Sequence, residues 1–214
     1  MAEYENNRNV YPAKTMLYSA YVGRNAPVFR ALLECYLSPE SIIADVTYGK
    51  GVFWSDIPVG RYNLWPSDLL TGTDCRHLPY PNDSVDAVVL DPPYGRQGRG
   101  GSGEYAQLKL YYQTMPTMRD VLDLYIEAGH EAWRVLKPHG LLIVKCQDQV
   151  EWTKQHWLSQ DIPHRLQREF KLEDMIVVVR PQRPSLPPNI AKQTHARRRH
   201  SYFLILRKRS LPTA

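Results

Sequence analysis

The chain has 214 residues, 43% of them hydrophobic and 23% charged, a composition that fits one folded domain with one core and excludes a disordered chain. Lys and Arg number 27 against 22 Asp and Glu, a formal charge of +5 that favours a polyanionic partner. Cys35, Cys75 and Cys146 are odd in number and far apart, and the seven histidines are scattered, which excludes a disulfide framework and a zinc site.

Residues 1–24 are polar and read as an amino-terminal extension, not a secretory signal. No apolar run approaches bilayer length, so a soluble, cytoplasmic protein with no membrane partner is expected. Residues 28–37 carry apolar side chains at helical spacing, and Pro27 suits a first helical turn. The run 41–46 (SIIADV) predicts a first buried strand, followed at once by Tyr48-Gly-Lys-Gly. A second strand is expected over 62–65, closing near Asp68, and a third over 85–90 (VDAVVL), which stops at Asp91-Pro-Pro-Tyr.

A glycine-rich stretch follows at 95–103, and then a long amphipathic helix marked by Val121, Leu122, Tyr125, Ala132, Val135 and Leu136. Lys137-Pro-His-Gly ends that helix, and 141–145 (LLIVK) predicts another buried strand. Residues 150–158 read as helical, and 175–179 and 202–206 as two further strands. Between them, 181–199 is Pro-rich and basic, too polar for a core. Strands alternating with helices predict an α/β sheet in a single domain over 1–214, with no internal repeat.

Asp91, Pro92, Pro93 and Tyr94 are the most informative residues. Consecutive prolines lack N–H donors and fix φ, so they end the strand in a stiff turn at its carboxyl end, where open α/β sheets bind ligands. An exocyclic amine on a heterocycle is a poor nucleophile, because its lone pair is delocalised. Two acceptors, the Asp91 carboxylate and the Pro92 carbonyl, can take both of its hydrogens, and Tyr94 offers a flat face for a base turned out of its stack.

The second group is Asp45-Val-Thr-Tyr-Gly-Lys-Gly, in which Gly49 and Gly51 allow a tight turn and close approach to a ligand. Asp68 stands 19 residues after Gly49, near the spacing at which an acid meets ribose hydroxyls. The dinucleotide pattern GxGxxG is incomplete, with Trp54 at the third glycine position, and no GK[ST] phosphate cradle follows. NAD and ATP are both disfavoured.

In these motifs the sequence resembles the amino-type S-adenosylmethionine-dependent DNA methyltransferases, the adenine-N6 and cytosine-N4 family. Their first motif, roughly DxFxGxG, stands here as DVTYGKG with Thr47 where Phe is usual, and their [DNS]PP[YFW] stands as DPPY. A third family feature, Asp74-Cys-Arg-His-Leu-Pro-Tyr, begins eleven residues before the strand that leads into DPPY. The ending RVLKPHGLLIVK, MIVVV and HSYFLILRK looks like the last three strands of that fold.

The resemblance spans about residues 40–208. It implies a class I methyltransferase sheet, Rossmann-like and mostly parallel with an antiparallel C-terminal strand. It implies S-adenosylmethionine as cofactor, and methyl transfer to the N6 amine of adenine in double-stranded DNA with the base flipped out. Catalysis falls to Asp91, Pro92, Pro93 and Tyr94. Asp74 would meet the cofactor's adenine amine, Asp68 its ribose hydroxyls, and Asp45 and Gly49 its methionine part. Thr47, Tyr48, Gly51 and Cys75 complete the cofactor-facing set, and no metal is expected.

Two departures stand out. The gap of six residues from Asp68 to Asp74 is too short for a crossover helix, and no separate target-recognition domain is present. Recognition then falls to the loops 95–117 and 181–199, with Arg96, Arg99, Arg183, Lys192, Arg197, Arg198 and Arg199 as nucleic-acid contacts, though an Arg run also suits a plain solvated face. RNA guanine-N2 and DNA cytosine-N4 transfer are the neighbouring chemistries, with a non-catalytic binding subunit as the rival of another class. A homodimer or partner subunit is compatible with the sequence. The implied setting is the cytoplasm of a prokaryotic or phage-infected cell.

Overall fold

The computed structural model describes residues 16–94, 117–151, 154–181 and 195–210. The first half of the chain contributes β1 (Ala20–Val22), α1 (Asn25–Tyr36), β2 (Ile42–Asp45), β3 (Asn63–Pro66) and β4 (Val85–Leu90). The second half contributes α2 (Met118–Val135), β5 (Leu136–Cys146), a hairpin of β6 (Gln149–Glu151) and β7 (Lys154–His156), α3 (Leu158–Arg165), β8 (Phe170–Val179) and β9 (His200–Lys208).

Seven strands form one sheet in the order β1-β8-β9-β5-β4-β2-β3. β3, β2, β4 and β5 run parallel, β9 lies antiparallel to both β5 and β8, and β1 pairs parallel with β8. This is the mostly parallel α/β sheet with an antiparallel C-terminal strand that the family resemblance implies. Both of its faces are covered. Val88 and Leu90 of β4, Leu142 and Val144 of β5, and Leu204 and Leu206 of β9 pack into the layer that holds α2 and α3. Their neighbours Ala87, Val89, Leu141, Ile143, Phe203 and Ile205 pack against α1. Side chains alternate along a strand, so burial of both faces produces runs with no polar alternation.

The helix α2 starts at a capping box. Thr117 Oγ1 accepts from the Asp120 N–H at 3.3 Å, and Asp120 Oδ2 accepts from the Thr117 N–H at 2.9 Å. Its buried stripe is Val121, Leu124, Tyr125, Ala128, Ala132 and Val135. Among the described residues no helix is long and apolar enough to cross a membrane.

Three differences from the sequence reading have local causes. Most of the helix expected over 150–158 is replaced by strand pairing: Gln149 pairs with His156, Val150 with Gln155 and Glu151 with Lys154, antiparallel. The helix begins only at Leu158, where Asp148 Oδ1 accepts the Ser159 N–H at 2.9 Å and Leu158, Ile162 and Leu166 supply the buried stripe. Within the stretch 1–24, read as an extension, Ala20–Val22 adds an edge strand by pairing with Val177–Val179 of β8. Lys137-Pro-His-Gly ends α2 as expected, but as an irregularity inside β5. Leu136 pairs with Val85 and Leu141 with Ala87, and His139 between them takes a left-handed φ of 64°. The short gap after Asp68 holds a single 3-10 turn, Leu69–Thr71, in place of a crossover helix.

Candidate active site

The parallel strands β2, β3, β4 and β5 all end at one edge of the sheet, and the two sequence motifs meet there. Beyond β2 the pairing runs on for a short distance, with Val46 N donating to Val89 O at 3.1 Å and Tyr48 N to Ser67 O at 3.1 Å. The chain then turns through Gly49 and Gly51, both left-handed, with φ of 52° and 65°. At Gly51 a side chain would meet both this left-handed φ and the Tyr48 hydroxyl oxygen, 2.5 Å from where its Cβ would sit.

Two carboxylates shape this turn. Asp68 Oδ2 accepts the Gly49 N–H at 2.9 Å, while its Oδ1 accepts the Leu70 N–H at 2.8 Å and caps the 3-10 turn. Asp45 is buried; Oδ1 accepts the Thr47 N–H at 3.1 Å and Oδ2 the Trp54 indole N–H at 2.7 Å. Burial pushes the Asp45 carboxyl up to about 6 against the pull of those two bonds, and the nearby Asp68 adds to the rise.

The Asp-Pro-Pro-Tyr turn lies alongside. Asp91 N–H donates to Thr47 Oγ1 at 2.7 Å, joining the two motifs directly. Asp91 Oδ1 accepts the Tyr94 hydroxyl at 2.7 Å, which tethers the Tyr94 ring. Behind the turn, the buried Tyr125 hydroxyl donates to Lys145 O at 2.9 Å and lies 3.4 Å from Pro92 O. Burial pushes the Asp91 carboxyl up to about 7. The Tyr94 bond and the Lys145 ammonium oppose the rise, and Asp45 reinforces it. Burial and the Asp91 carboxylate together push the Tyr94 phenol far above its ordinary value.

The remaining expected residues fall in different places. Asp74 is engaged by Arg76, whose Nη2 is 2.7 Å from Oδ2 and whose backbone N–H donates to Oδ1 at 2.9 Å; Arg76 also reaches Glu127 at 3.2 Å. Cys75 is buried, and burial pushes its thiol up to about 12. Arg197 is exposed, whereas Arg198 bonds Gln155 Oε1 and stacks 4.7 Å over the Trp157 ring, and Arg199 donates to the carbonyls of Arg180 and Pro181. Arg96, Arg99, Arg183 and Lys192 lie outside the described residues.

Sequence reasoning missed three contributors. Trp54 bonds Asp45, Tyr125 bridges the backbone behind Pro92, and Lys145 places a buried ammonium near Asp91. Tyr125 and Trp54 carry the pattern of core residues. Lys145 had one signal, a lysine closing the apolar run LLIVK.

Residues 85–213 match the family model described as DNA methylase, that of the N6 and N4 amino-methyltransferases. The chain belongs to this family of S-adenosylmethionine-dependent methylases. No curated protein matches it. Among solved structures, TrmN from Thermus thermophilus superposes on this chain with a TM-score of 0.50 and 18% identity, over 85% of this chain and 48% of that one. A SAM-dependent methyltransferase from Methanosarcina mazei gives a TM-score of 0.47 and 11% identity, over 83% of this chain and 96% of that one. The PvuII cytosine-N4-specific DNA methyltransferase gives 0.45 and 17%, over 65% and 49%. The chain thus spans about half the length of the TrmN and PvuII chains. At 18% identity the likeness to TrmN is one of fold.

Proposed function

We propose that this methylase transfers a methyl group from S-adenosylmethionine to the N6 amine of adenine in duplex DNA, acting on a base turned out of the helix. The observation that carries the reading is the 2.7 Å bond from Asp91 N–H to Thr47 Oγ1, which sets the amine-accepting turn beside the glycine turn.

The residues at the glycine turn fit the cofactor. A left-handed glycine pair beside buried Asp45 and nearby Asp68 suits a cationic ligand that also carries ribose hydroxyls. Asp45 and Asp68 would face its amino-acid and ribose parts, with Gly49, Gly51, Thr47 and Tyr48 forming the wall and Asp74 and Cys75 the adenine end. Bound there, S-adenosylmethionine would supply a sulfonium methyl open to in-line attack by the base nitrogen, with the carbon–sulfur electron pair staying on sulfur.

The protein's own part is positioning and charge. The Asp91 carboxylate and the Pro92 carbonyl accept the two hydrogens of the amine, turn its lone pair toward the methyl, and favour pyramidal nitrogen. After transfer, the surplus proton on nitrogen passes to Asp91 and on to solvent. Tyr94, released from Asp91 by the incoming amine, offers its ring to the base. Arg197 and the basic residues of 95–117 and 181–199 contact the phosphate backbone. No covalent enzyme intermediate forms. Asp at the first position of the motif, where cytosine enzymes more often carry Ser, supports adenine.

Labelled S-adenosylmethionine offered with unmethylated duplex DNA and, in parallel, with RNA tests the reading, with digestion to identify the modified nucleoside. N6-methyladenine in DNA, lost in Asp91→Ala while cofactor affinity stays within about twofold, is the expected result. Methylcytosine in DNA, or label in RNA alone, would replace adenine by another amine. Cofactor binding without transfer to either would point to a non-catalytic subunit.

A further inference from the structure

We propose that Lys145 is a positioning residue for the site: its buried ammonium, beside Asp91 across the β4–β5 pair, holds the Asp91 side chain in the charged form that accepts the base amine. The inference rests on Asp91 being that acceptor.

The argument starts from a residue out of place. In the run LLIVKC both faces of the sheet are covered, and every residue from Leu141 to Cys146 is buried; Lys145 is 0% exposed. An ammonium taken out of water costs several kcal/mol unless opposite charge or good acceptors compensate. Two neighbours are visible. Lys145 Nζ donates to Ser201 Oγ at 2.8 Å and sits 4.1 Å above the Phe203 ring, both on β9. A hydroxyl and a ring face direct the ammonium, yet neither carries a full negative charge.

Strand register supplies the anion. Leu90 of β4 pairs with Val144 of β5, so the next residues along the two parallel strands are Asp91 and Lys145, at the same edge of the sheet. The backbone around them is fastened as well, since the Tyr125 hydroxyl bonds Lys145 O at 2.9 Å and lies 3.4 Å from the carbonyl of Pro92.

Electrostatics agrees with the geometry. Burial is the main cause that lowers the Lys145 ammonium to about 8, a fall that Asp91 limits. Burial raises Asp91 to about 7, and Lys145 works against that rise. The other groups acting on Asp91 are the Tyr94 hydroxyl in its own turn and Asp45 from β2. Those acting on Lys145 are Cys146 on its own strand and Arg180 at the end of β8, and Arg180 disfavours its charge. With both midpoints close to neutral pH, loss of the ammonium would leave Asp91 largely protonated. A protonated Asp91 offers a hydroxyl donor where the amine needs an acceptor.

The test uses the full chain with carboxyl-13C aspartate and ε-13C lysine, followed by NMR titration, with the Asp91 signal assigned by its loss in Asp91→Asn. In Lys145→Met, where a straight apolar side chain fills the space, the Asp91 midpoint is expected to rise by at least one pH unit, a tenfold change in its proton affinity. In Asp91→Asn, which leaves the buried lysine in place, the Lys145 midpoint is expected to fall by a similar amount, as linkage between two sites requires. Methyl transfer to unmethylated phage DNA by Lys145→Met is expected to keep its alkaline rate and to show its acid limb displaced upward by the same interval.

Midpoints that stay within 0.3 unit of wild type in both variants would overturn the inference, as would slower transfer with an unmoved acid limb, the mark of a merely structural lysine. Wild-type transfer by Asp91→Asn would overturn the reading of Asp91 itself, and the inference with it. Transfer that depends on Asp91 but not on Lys145 would remove the inference alone.

Discussion

The Thr47 hydroxyl accepts the backbone N–H of Asp91 at 2.7 Å, across 44 residues of sequence, and so holds the ends of β2 and β4 in one arrangement. Both motifs depend on that bond, because the Thr47 N–H also reaches Asp45 at 3.1 Å. Thr47→Val keeps the shape and leaves the Asp91 N–H unsatisfied, an expected cost of about 1–3 kcal/mol in stability. Methyl transfer should fall about tenfold or more, because Asp91 loses its fixed position. Thr47→Ser keeps the acceptor and should behave nearly as wild type. Equal activity of the valine and serine variants would show that the bond does not matter.

Gly51 and Gly49 are both left-handed, yet they should differ on substitution. A Cβ at Gly49 has open space, its nearest contact being Thr47 O at 3.9 Å, so Gly49→Ala should cost about 1 kcal/mol of backbone strain. At Gly51 the same atom collides with the Tyr48 ring, 2.6 Å from Cζ, so the ring must shift from the wall proposed for the cofactor. Gly51→Ala is therefore expected to weaken S-adenosylmethionine binding at least tenfold by calorimetry, and Gly49→Ala only a few-fold. The reverse order would place the cofactor elsewhere.

Asp91 makes stability depend on pH in a stated direction. Its folded-state value of about 7 lies above the ordinary carboxylate value of 3.8, so between these the folded state binds more protons than the unfolded chain. Stability therefore increases as pH falls through this window and declines as pH rises toward 7. Asp45, raised to about 6, acts with the same sign. Asp91→Asn removes the buried charge and should raise the melting temperature at pH 8 by about 5 °C, with little gain at pH 4. An equal gain at both pH values would show that the carboxyl is not held up by burial.

The three cysteines should separate cleanly by reagent. Cys35 is exposed, whereas Cys75 and Cys146 are buried, and burial pushes both of their thiols upward, that of Cys75 to about 12. Thiolates react and thiols do not. Iodoacetamide at pH 8 is expected to modify only Cys35 in the native protein, by mass spectrometry, and to leave methyl transfer intact. Cys75→Ala and Cys146→Ala should likewise retain it, and chelators should have no effect. Rapid labelling of Cys146, or loss of transfer on its substitution, would contradict transfer without a covalent intermediate.

Much of the fold is legible in the sequence because its determinants are local or periodic. Runs such as 85–90 and 202–206 read as strands since a sheet covered on both sides needs apolar side chains at every position. Asp-Pro-Pro-Tyr and Tyr-Gly-Lys-Gly read as turns because proline and glycine each restrict or free φ in ways no partner changes. The run 150–158 differs for the complementary reason: residues of mixed polarity are undecided alone, and pairing of Val150 with Gln155 and Glu151 with Lys154 makes strands of them. Ala20–Val22 likewise becomes a strand only because the edge of β8 is open to it.

The motifs and their order were thus written in the chain, and tertiary structure decided which side chains serve them. Thr47 reaches Asp91 across 44 residues, Tyr125 approaches Pro92 across 33, and Lys145 reaches Ser201 across 56. None of these pairs has a spacing that a local rule can recognise. Each follows from strand order and register, which bring distant strand ends to one edge and select, among buried residues alike in composition, the few whose polar atoms meet.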